Sequence, residues 1–194
     1  MAHKPDHLNP LDGSLYDNSR YRRRQYGTLP DGMPYWVKFV QLETILKLRR
    51  RVLQPNQPAV FPEDCQANTL HVAVFLPKRA RSIFLGTPVC CASFVLTDQV
   101  EGTPYYQLRG MATDPTWQRR GLGSRLLAWT EEYFRDWMMS TLQTPAVYLW
   151  CNAPVSAVPF YEKQGWRCTG DVFDIPGVGP HRRMDKHVLV TGSG

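Results

Sequence analysis

The sequence contains no long apolar run, no CxxC pair, no internal repeat and no low-complexity tract. A helix that crosses a membrane needs about 20 mostly apolar residues, so no membrane span is expected. Segment 1–10 is polar and lacks the apolar core of a signal peptide. The five cysteines show no ligand spacing with histidine, and their number is odd. We therefore expect buried, reduced thiols, no bound metal and a cytoplasmic protein.

The composition that remains is that of a globular protein. The 194 residues are 43% hydrophobic, which is enough for one domain with a sizeable core. Residues 1–33 are rich in Pro, Gly, Asn and Asp and show no periodicity, which is typical of a surface extension. We expect an N-terminal arm at 1–33, one domain at 34–190 and a tail at 191–194.

Positive charge exceeds negative charge, and the formal net charge is +6. Basic residues cluster at 20–24, 47–51 and 78–81, and such clusters can bind a polyanion. No RNA- or DNA-reading motif surrounds them, so we interpret them as solvated surface and do not expect a nucleic-acid partner. The second cluster is expected to cover the polar side of one helix with four basic residues: Lys47, Arg49, Arg50 and Arg51.

Hydrophobic periodicity predicts strands and helices in alternation. The predicted strands are 35–40, 70–75, 89–96, 105–113, 146–151, 166–175 and 181–190. The predicted helices are 41–53, 122–139 and 155–164. The strands joined by the second helix must be parallel, whereas the short turns elsewhere predict antiparallel pairs. The sequence therefore predicts an α/β (α+β) protein with a central mixed sheet of about seven strands and helices on both faces.

The segment from Gln118 to Ser124 connects a predicted strand to a predicted helix and contains two glycines. The helix is expected to begin near Leu122, so backbone N–H groups converge at its N-terminus, where the helix dipole adds partial positive charge. Gly121 and Gly123 have no Cβ, so a ligand can approach the backbone closely. The spacing matches neither a Walker loop nor the three-glycine dinucleotide fingerprint. Taken alone, the segment fits either a phosphate cradle or an ordinary basic loop.

A second motif follows downstream. A predicted strand ending at Asn152 precedes the sequence Phe-Tyr-Glu-Lys-Gln-Gly-Trp at 160–166. Together with the Asp-Pro turn and the Gln-Arg-Arg-Gly-Leu-Gly segment at 114–123, this motif resembles the GNAT superfamily of acetyl-CoA-dependent N-acetyltransferases. The resemblance covers roughly residues 34–190 and is sharpest at 108–172. It implies the GNAT fold and favours the cradle over the ordinary loop.

The resemblance implies that acetyl-CoA binds along the loop and between two strands. Its pyrophosphate would lie on loop N–H groups, with the side chains of Gln118, Arg119 and Arg120 adding contacts. The N–H groups belong to six consecutive residues: Arg119, Arg120, Gly121, Leu122, Gly123 and Ser124. The pantetheine arm would lie in a gap between the strand at 111–113 and the strand ending at Asn152.

The same resemblance implies roles for residues beside the thioester. A backbone N–H of Met111 or Ala112 would polarise the thioester carbonyl, as in an oxyanion hole. Thr113 stands at a position that is often aliphatic in the family, and little consequence is expected because the contact uses the backbone. Asn152 would hydrogen-bond the cofactor arm or, with equal weight, cap the helix that follows.

The reaction implied by the resemblance is direct attack of a primary amine on the acetyl thioester. Tyr161 occupies the family's position for the general acid that protonates the departing thiolate, and a core aromatic is the alternative for this residue. A catalytically silent acyl-CoA sensor is the alternative function on the same fold. A homodimer is compatible with either function, and neither a membrane nor a metal is expected to take part.

The general base is not evident from the sequence. Many family members carry a glutamate on the strand before the loop, but no carboxylate lies between Tyr105 and Thr113. Glu101 and Asp114 flank that strand and are interpreted as turn residues. His181 is another candidate, although a surface histidine is the favoured interpretation, and the proton would then leave through ordered water and backbone carbonyls.

The acceptor is left open between a small molecule, an amino acid and a peptide. Acceptor pockets in the family are built from the first helix and the last strand pair. Here the first helix is basic, and Arg182 and Arg183 follow His181. We therefore expect an acceptor that carries a carboxylate or phosphate besides its amine.

Overall fold

A computed structural model describes residues 18–53, 59–77, 86–137 and 144–189. Within these residues the sheet has eight strands: β1 (Arg24–Thr28), β2 (Pro34–Val40), β3 (Leu70–Pro77), β4 (Gly86–Val100), β5 (Thr103–Thr113), β6 (Ala146–Pro154), β7 (Arg167–Ile175) and β8 (Gly179–Leu189). The α-helices are α1 (Leu42–Val52), α2 (Leu122–Trp137) and α3 (Val158–Lys163).

The strands form one sheet in the order β1-β2-β3-β4-β5-β6-β8-β7. The central pair β5–β6 is parallel, as expected for two strands connected through a helix. Every other neighbouring pair is antiparallel. The predicted mixed α/β sheet with flanking helices is therefore confirmed.

The strand count is eight rather than the predicted seven, because β1 forms in the segment that was assigned to the N-terminal arm. Its sequence, Arg-Gln-Tyr-Gly-Thr, has no apolar alternation, and all of its residues except Gly27 are exposed. The strand pairs antiparallel with β2 at the edge of the sheet, where Gly27 lies opposite Tyr35. Periodicity could not reveal a strand with no buried face.

Both faces of the central strands are buried, because α1 covers one face and α2 covers the other, whereas the edge strands β1 and β7 are largely exposed. On the α2 face, Val37 and Val72 pack with Leu126, Phe134 and other helix residues. On the α1 face, a smaller cluster packs against that helix: Trp36, Val40, Ile45, Leu48, Ala73, Phe75, Cys91 and Ala112. Alternate residues of β2 and β3 thus point to opposite layers, which explains the nearly continuous apolar runs in these strands.

Arg49 was expected on the polar side of α1, and this expectation is wrong. The side chain is fully buried, and Nη1 forms an ion pair with Asp64 Oδ2 at 2.6 Å. Nη2 donates to Ser93 Oγ at 2.5 Å, and Nδ1 of His71 lies 2.5 Å from the same oxygen. Burial lowers the pKa of His71. The guanidinium therefore anchors α1 to β3, β4 and the 3-10 turn at Pro62–Cys65.

None of the helices in the described ranges has the length and apolar character that a membrane crossing requires. Cys90, Cys91 and Cys151 are buried, as predicted, and all five cysteines are free thiols. The basic cluster at 78–81, the tail at 191–194 and the end of the helix predicted to reach 139 lie outside the described residues.

Candidate active site

The strands β5 and β6 pair over only three residues and then separate. Tyr105 to Gln107 lie opposite Tyr148 to Trp150, but β5 continues to Thr113 and β6 continues to Pro154. Beyond Gln107 and Trp150 the two strands no longer pair, so their facing backbone N–H and C=O groups are not hydrogen-bonded to each other. This opening coincides with the gap expected between the strand at 111–113 and the strand ending at Asn152.

A β-bulge in β5 accompanies the separation. Across the sheet, Ala112 lies opposite Cys91 and Arg109 lies opposite Ser93, so β5 holds one residue more than β4 over this stretch. Gly110 takes a positive φ of 55° there. A Cβ at this position would also approach Cζ of Arg49 to 2.7 Å. The bulge therefore requires glycine for two independent reasons.

A cavity of about 340 Å³ opens at the point where β5 and β6 separate. It is lined by residues from six parts of the chain: Leu53, Phe61, Gln107, Leu108, Arg109, Gly110, Met111, Cys151, Asn152, Pro154, Tyr161, Ile175, Val178 and His181. At its edge, the Arg109 guanidinium lies over the Phe61 ring at 5.1 Å and pairs with Glu63. The remaining walls are mostly apolar or uncharged.

The glycine loop follows β5 directly and leads into α2, as predicted. A 3-10 turn at Pro115–Trp117 starts the loop, and α2 begins at Leu122, whose side chain is buried. Arg119 and Gly121 have positive φ values of 60° and 74°, so the chain turns sharply twice before the helix. The first backbone N–H groups of α2 have no acceptor within the helix, as a phosphate cradle requires.

Gly123 serves packing inside the protein as well as access for a ligand. A Cβ at this position would lie 3.0 Å from Cε of Met111 and 3.1 Å from Cζ of Phe160. The start of α2 therefore packs closely against the end of β5 and against α3. Ser124, the next residue, is partly buried.

The polar side chains of the loop are used differently from one another. Gln118 Nε2 donates to the Thr113 carbonyl at 3.1 Å, which closes the loop onto the end of β5. Arg120 pairs with Asp31 at 2.6 Å and lies over the Trp117 ring at 4.7 Å. Arg119 is exposed. Of the two arginines, Arg120 is thus already held by a carboxylate from the β1–β2 turn.

Tyr161 lies on α3 and lines the cavity with only 5% of its surface exposed. Its hydroxyl donates to Met111 Sδ at 3.5 Å. Burial, together with the neighbouring Cys151 thiol, raises the pKa of Tyr161 well above its ordinary value. Burial likewise raises the pKa of Cys151 to about 12. The tyrosine is therefore a neutral hydroxyl at physiological pH and can donate a proton or a hydrogen bond.

The candidates for a general base are distributed differently from the expectation. Glu101 lies in the β4–β5 turn, and Asp114 caps the 3-10 turn by accepting from the Thr116 N–H at 3.1 Å. Both are turn residues, as expected. His181 was interpreted as a surface residue, and this is wrong, because its side chain is 3% exposed and lines the cavity.

Asn152 also lines the cavity. The N-cap of α3 is Ala157, and the preceding 3-10 turn is capped by Pro154. Asn152 therefore does not cap the following helix, and its side chain is available for hydrogen bonds within the cavity.

Four of the six basic residues that favoured an anionic acceptor already have partners, whereas Lys47 and Arg50 are exposed on α1. Arg49 is paired with Asp64, Arg51 is paired with Asp114, and Arg182 donates to the Gly170 carbonyl at 3.0 Å. Arg183 lies 3.5 Å above the Trp150 ring. The expectation of a carboxylate or phosphate on the acceptor therefore loses most of its basis.

The structure brings the predicted residues together around Met111. Its sulfur contacts Tyr161, and its methyl group lies beside the position of Gly123. Sequence reasoning missed the Gly110 bulge, the Phe61 side of the cavity and the burial of His181. A glycine inside a strand pattern can indicate a bulge, but nothing local marks the other two.

The solved structures that resemble this chain are N-acyltransferases. An acyl-CoA N-acyltransferase from Pseudomonas aeruginosa matches with a TM-score of 0.55 and 18% identity, covering 79% of this chain and 99% of that one. An aminoglycoside 6'-N-acetyltransferase complexed with coenzyme A matches with a TM-score of 0.52 and 13% identity, covering 79% of this chain and 97% of that one. At these identities the likeness establishes the fold: a GNAT-like acyl-CoA N-acyltransferase fold.

Sequence comparison establishes the family. The model of the acetyltransferase (GNAT) family matches residues 42–166. An uncharacterized N-acetyltransferase of Bacillus subtilis (strain 168), YitI, is 32% identical over 155 residues, which cover 77% of this chain and 94% of that protein. The chain belongs to the GNAT acetyltransferase family, and the predicted family membership is confirmed.

Proposed function

We propose that this protein transfers an acetyl group from acetyl-CoA to a primary amine by direct attack. The observation that carries the proposal is the convergence at Met111. The methyl group of Met111 lies beside Gly123 of the glycine loop, and the neutral Tyr161 hydroxyl lies 3.5 Å from its sulfur. Acetyl-CoA lying across the end of β5 would thus have its phosphates at the glycine loop and its thioester sulfur near the Tyr161 hydroxyl.

The donor would bind mainly through backbone groups. Its pyrophosphate would accept hydrogen bonds from the N–H groups of residues 119–124, where the α2 dipole adds partial positive charge. Arg119 and Ser124 would add side-chain contacts. The pantetheine arm would lie between β5 and β6 and pair with their unpartnered backbone groups as an added strand does. Asn152 would hydrogen-bond this arm.

The thioester carbonyl would lie against the bulge in β5. The extra residue at Gly110 interrupts the regular pairing of β5 with β4, and this turns backbone groups away from the sheet. The N–H of Met111 or Ala112 would then polarise the carbonyl and stabilise the negative charge of the tetrahedral intermediate.

Tyr161 would protonate the departing thiolate. Its raised pKa keeps the proton on the oxygen at neutral pH, so the hydroxyl is a donor throughout the physiological range. An ordinary thiol has a pKa of about 8.5, so the tyrosine is a weaker acid than the thiol that it must protonate. Transfer from the tyrosine therefore requires a short hydrogen bond formed as the carbon–sulfur bond breaks.

Calorimetry with CoA and a thiol-release assay with acetyl-CoA test the proposal together. A panel of small amines, amino acids and peptides serves as acceptors, and reactions without protein serve as controls. We expect CoA binding and amine-dependent thiol release with at least one acceptor class. Binding without release across the panel would contradict acetyl transfer, and the absence of binding would contradict the donor site itself.

A further inference from the structure

We propose that His181 is the general base that removes a proton from the acceptor amine. The inference rests on the proposed function and assigns a step for which the strand before the loop offers no carboxylate. His181 is 3% exposed and lines the same cavity as Tyr161. The proposed acid, Tyr161, and the proposed base, His181, therefore line the same cavity, and the β5 bulge at Gly110 lines it as well.

The tautomer of His181 follows from a single contact. Its Nδ1 lies 2.7 Å from the carbonyl oxygen of Gly179. A carbonyl oxygen can only accept a hydrogen bond, so Nδ1 must carry the proton. In the neutral imidazole the other nitrogen, Nε2, then holds a lone pair. The contact also fixes the orientation of the ring, as a partner on Nδ1 does in other catalytic histidines.

The other groups around the cavity do not serve as a base. Among its described lining residues, Arg109 is the charged one, and it is paired with Glu63. Tyr161 and Cys151 keep their protons because burial raises both pKa values. The amides of Gln107 and Asn152 are not basic. Among these lining residues, a nitrogen lone pair able to accept a proton is left to His181.

The elements that pack on His181 bring few charges close to it. Its cross-strand neighbours are Pro154 on β6 and Phe173 on β7, and neither side chain ionises. The cavity presents Arg109 from β5 and Tyr161 from α3. On its own strand, Arg183 is held over the Trp150 ring. On β7, the nearest carboxylate in sequence to its partner Phe173 is that of Asp174, which is exposed.

The proton balance requires both His181 and Tyr161. An ammonium acceptor loses two protons when it becomes an amide. Nε2 of His181 takes the first, which frees the nitrogen lone pair to attack the thioester carbon, and releases it to solvent after turnover. The second leaves the nitrogen as the carbon–sulfur bond breaks and returns to the Tyr161 oxygen, which has given its own proton to the thiolate.

His181→Asn is the variant that tests the proposal, because asparagine retains an N–H donor for the Gly179 carbonyl but has no basic nitrogen. We expect a fall in kcat of about 10²-fold, with unchanged CoA affinity. The acceptor probes are phenethylamine and its β,β-difluoro analogue, which is a much weaker base of similar size. The loss should be smaller for the fluorinated amine, because it is already neutral and needs no base.

His187→Asn provides the matched control, since His187 lies exposed on the same strand. It should leave both rates unchanged. An equal loss with the two amines, or no loss in His181→Asn while the wild-type protein transfers acetyl groups, would overturn the inference and leave the proposed function intact. Failure of the wild-type protein to bind CoA would instead overturn the proposed function.

A measurement on the wild-type protein covers the case in which the variant does not fold or neither amine reacts. Imidazole ¹⁵N chemical shifts distinguish the two neutral tautomers. We expect the neutral imidazole of His181 to carry its proton on Nδ1 and a lone pair on Nε2. A proton on Nε2 would overturn the inference whatever the kinetics show.

Discussion

The two ends of the β5–β6 gap are built in opposite ways. At the donor end, the proposed contacts come from one continuous stretch, residues 118–124, and mostly from its backbone. At the acceptor end, the cavity is lined by side chains from six separate parts of the chain. A site made of backbone groups can be predicted from a short motif, because glycine spacing and the start of a helix determine its geometry. A site made of side chains depends on which distant segments the fold brings together, and no local sequence pattern predicts which segments those are.

The difference also appears in what each end requires of its neighbours. The loop has a buried leucine, Leu122, and two largely exposed side-chain contacts, from Gln118 to the Thr113 carbonyl and from Arg120 to Asp31. The cavity instead depends on buried polar contacts behind it, where Arg49 supports the bulge at Gly110 and pairs with Asp64. The acceptor end should therefore be the more sensitive of the two to the loss of one side chain.

The largest expected effect is on stability, from Arg49→Met. This substitution leaves the Asp64 carboxylate buried without its countercharge, which typically costs about 3–5 kcal/mol. The free energy of unfolding, measured in urea, should fall by this amount. Arg51→Met is the matched control on the same helix, because the Arg51 side chain is 54% exposed. It should cost no more than about 1 kcal/mol.

The double variant Arg49→Met/Asp64→Asn sharpens this test. It removes both charges, so much of the lost stability should return even though the shape of the site has changed. Equal losses in Arg49→Met and Arg51→Met would show that the buried ion pair contributes no more than the exposed one.

Most of the fold could be predicted because its elements have strong periodicity. The helix α2 places Leu122, Leu126 and Trp129 on one buried side, and the buried runs of β3 and β4 leave no other assignment. Arg49 and β1 could not be predicted. Arg49 stands on the apolar face of α1, four residues after Ile45, but its sequence neighbours offer no partner for its charge, and Asp64, fifteen positions away, is brought beside it only by the fold. The polar strand β1 is held by edge pairing with β2, which leaves no hydrophobic pattern.

The second largest effect is expected for Tyr161→Phe. The phenylalanine retains the ring packing against Trp166 and Phe160 but cannot protonate the thiolate. We expect kcat to fall about 10²-fold, equivalent to roughly 2.7 kcal/mol of transition-state stabilisation. CoA affinity should change little, because the phosphates bind elsewhere. The full rate in Tyr161→Phe would remove the tyrosine from the mechanism.

The pH dependence of the acetyl-transfer rate of the wild-type protein tests the role of Tyr161 independently. Because the pKa of Tyr161 is raised, its deprotonation should cause no loss of rate between pH 7 and about 10, the pKa of an ordinary tyrosine. A decline in that range that is absent from Tyr161→Phe would show that the hydroxyl ionises at an ordinary pKa.

Only those parts of the site that belong to a short sequence motif could be predicted. The glycine loop and Tyr161 follow from two short segments, and the structure places both beside Met111. His181 was already a candidate base, but its burial could not be predicted, because the burial arises from the β8 register that sets it between Pro154 and Phe173. Phe61 reaches the cavity from a 3-10 turn that has no periodicity at all.

At the donor end, Gly121→Asp and Gly121→Asn form a matched pair. Both residues tolerate a positive φ better than other side chains, and they have nearly the same shape, so the comparison isolates charge. A side chain at this position meets Nη1 of Arg125, so the aspartate adds negative charge beside the proposed cradle. We expect CoA to bind at least about tenfold more weakly to the aspartate variant than to the asparagine variant, a difference of roughly 1.4 kcal/mol. Calorimetry with CoA measures both affinities. Equal affinities would place the phosphates away from Gly121.

The last expected effect is absent at neutral pH and appears only at alkaline pH, where the buried thiols at the two ends can be compared. Burial raises the pKa of Cys90, beside Thr113 at the donor end, from 9.0 to about 12. Cys151, beside Tyr161 at the acceptor end, shifts equally. Below pH 9 each thiol is protonated in both states and contributes no pH dependence. Above it, the unfolded thiol loses a proton that the folded one keeps, so stability falls as pH rises towards 12.

Cys90→Ala and Cys151→Ala separate the two contributions. Each thiol should add about 1.4 kcal/mol per pH unit to the alkaline loss of stability, so each variant should show a shallower slope by that amount. The measurement is the free energy of unfolding in urea from pH 8 to pH 11, and the slope, not the absolute value, is compared because either substitution also removes packing. An undiminished slope in Cys151→Ala alone would mean that the cavity admits enough water for this thiol to ionise, and that the acceptor end is the wetter of the two.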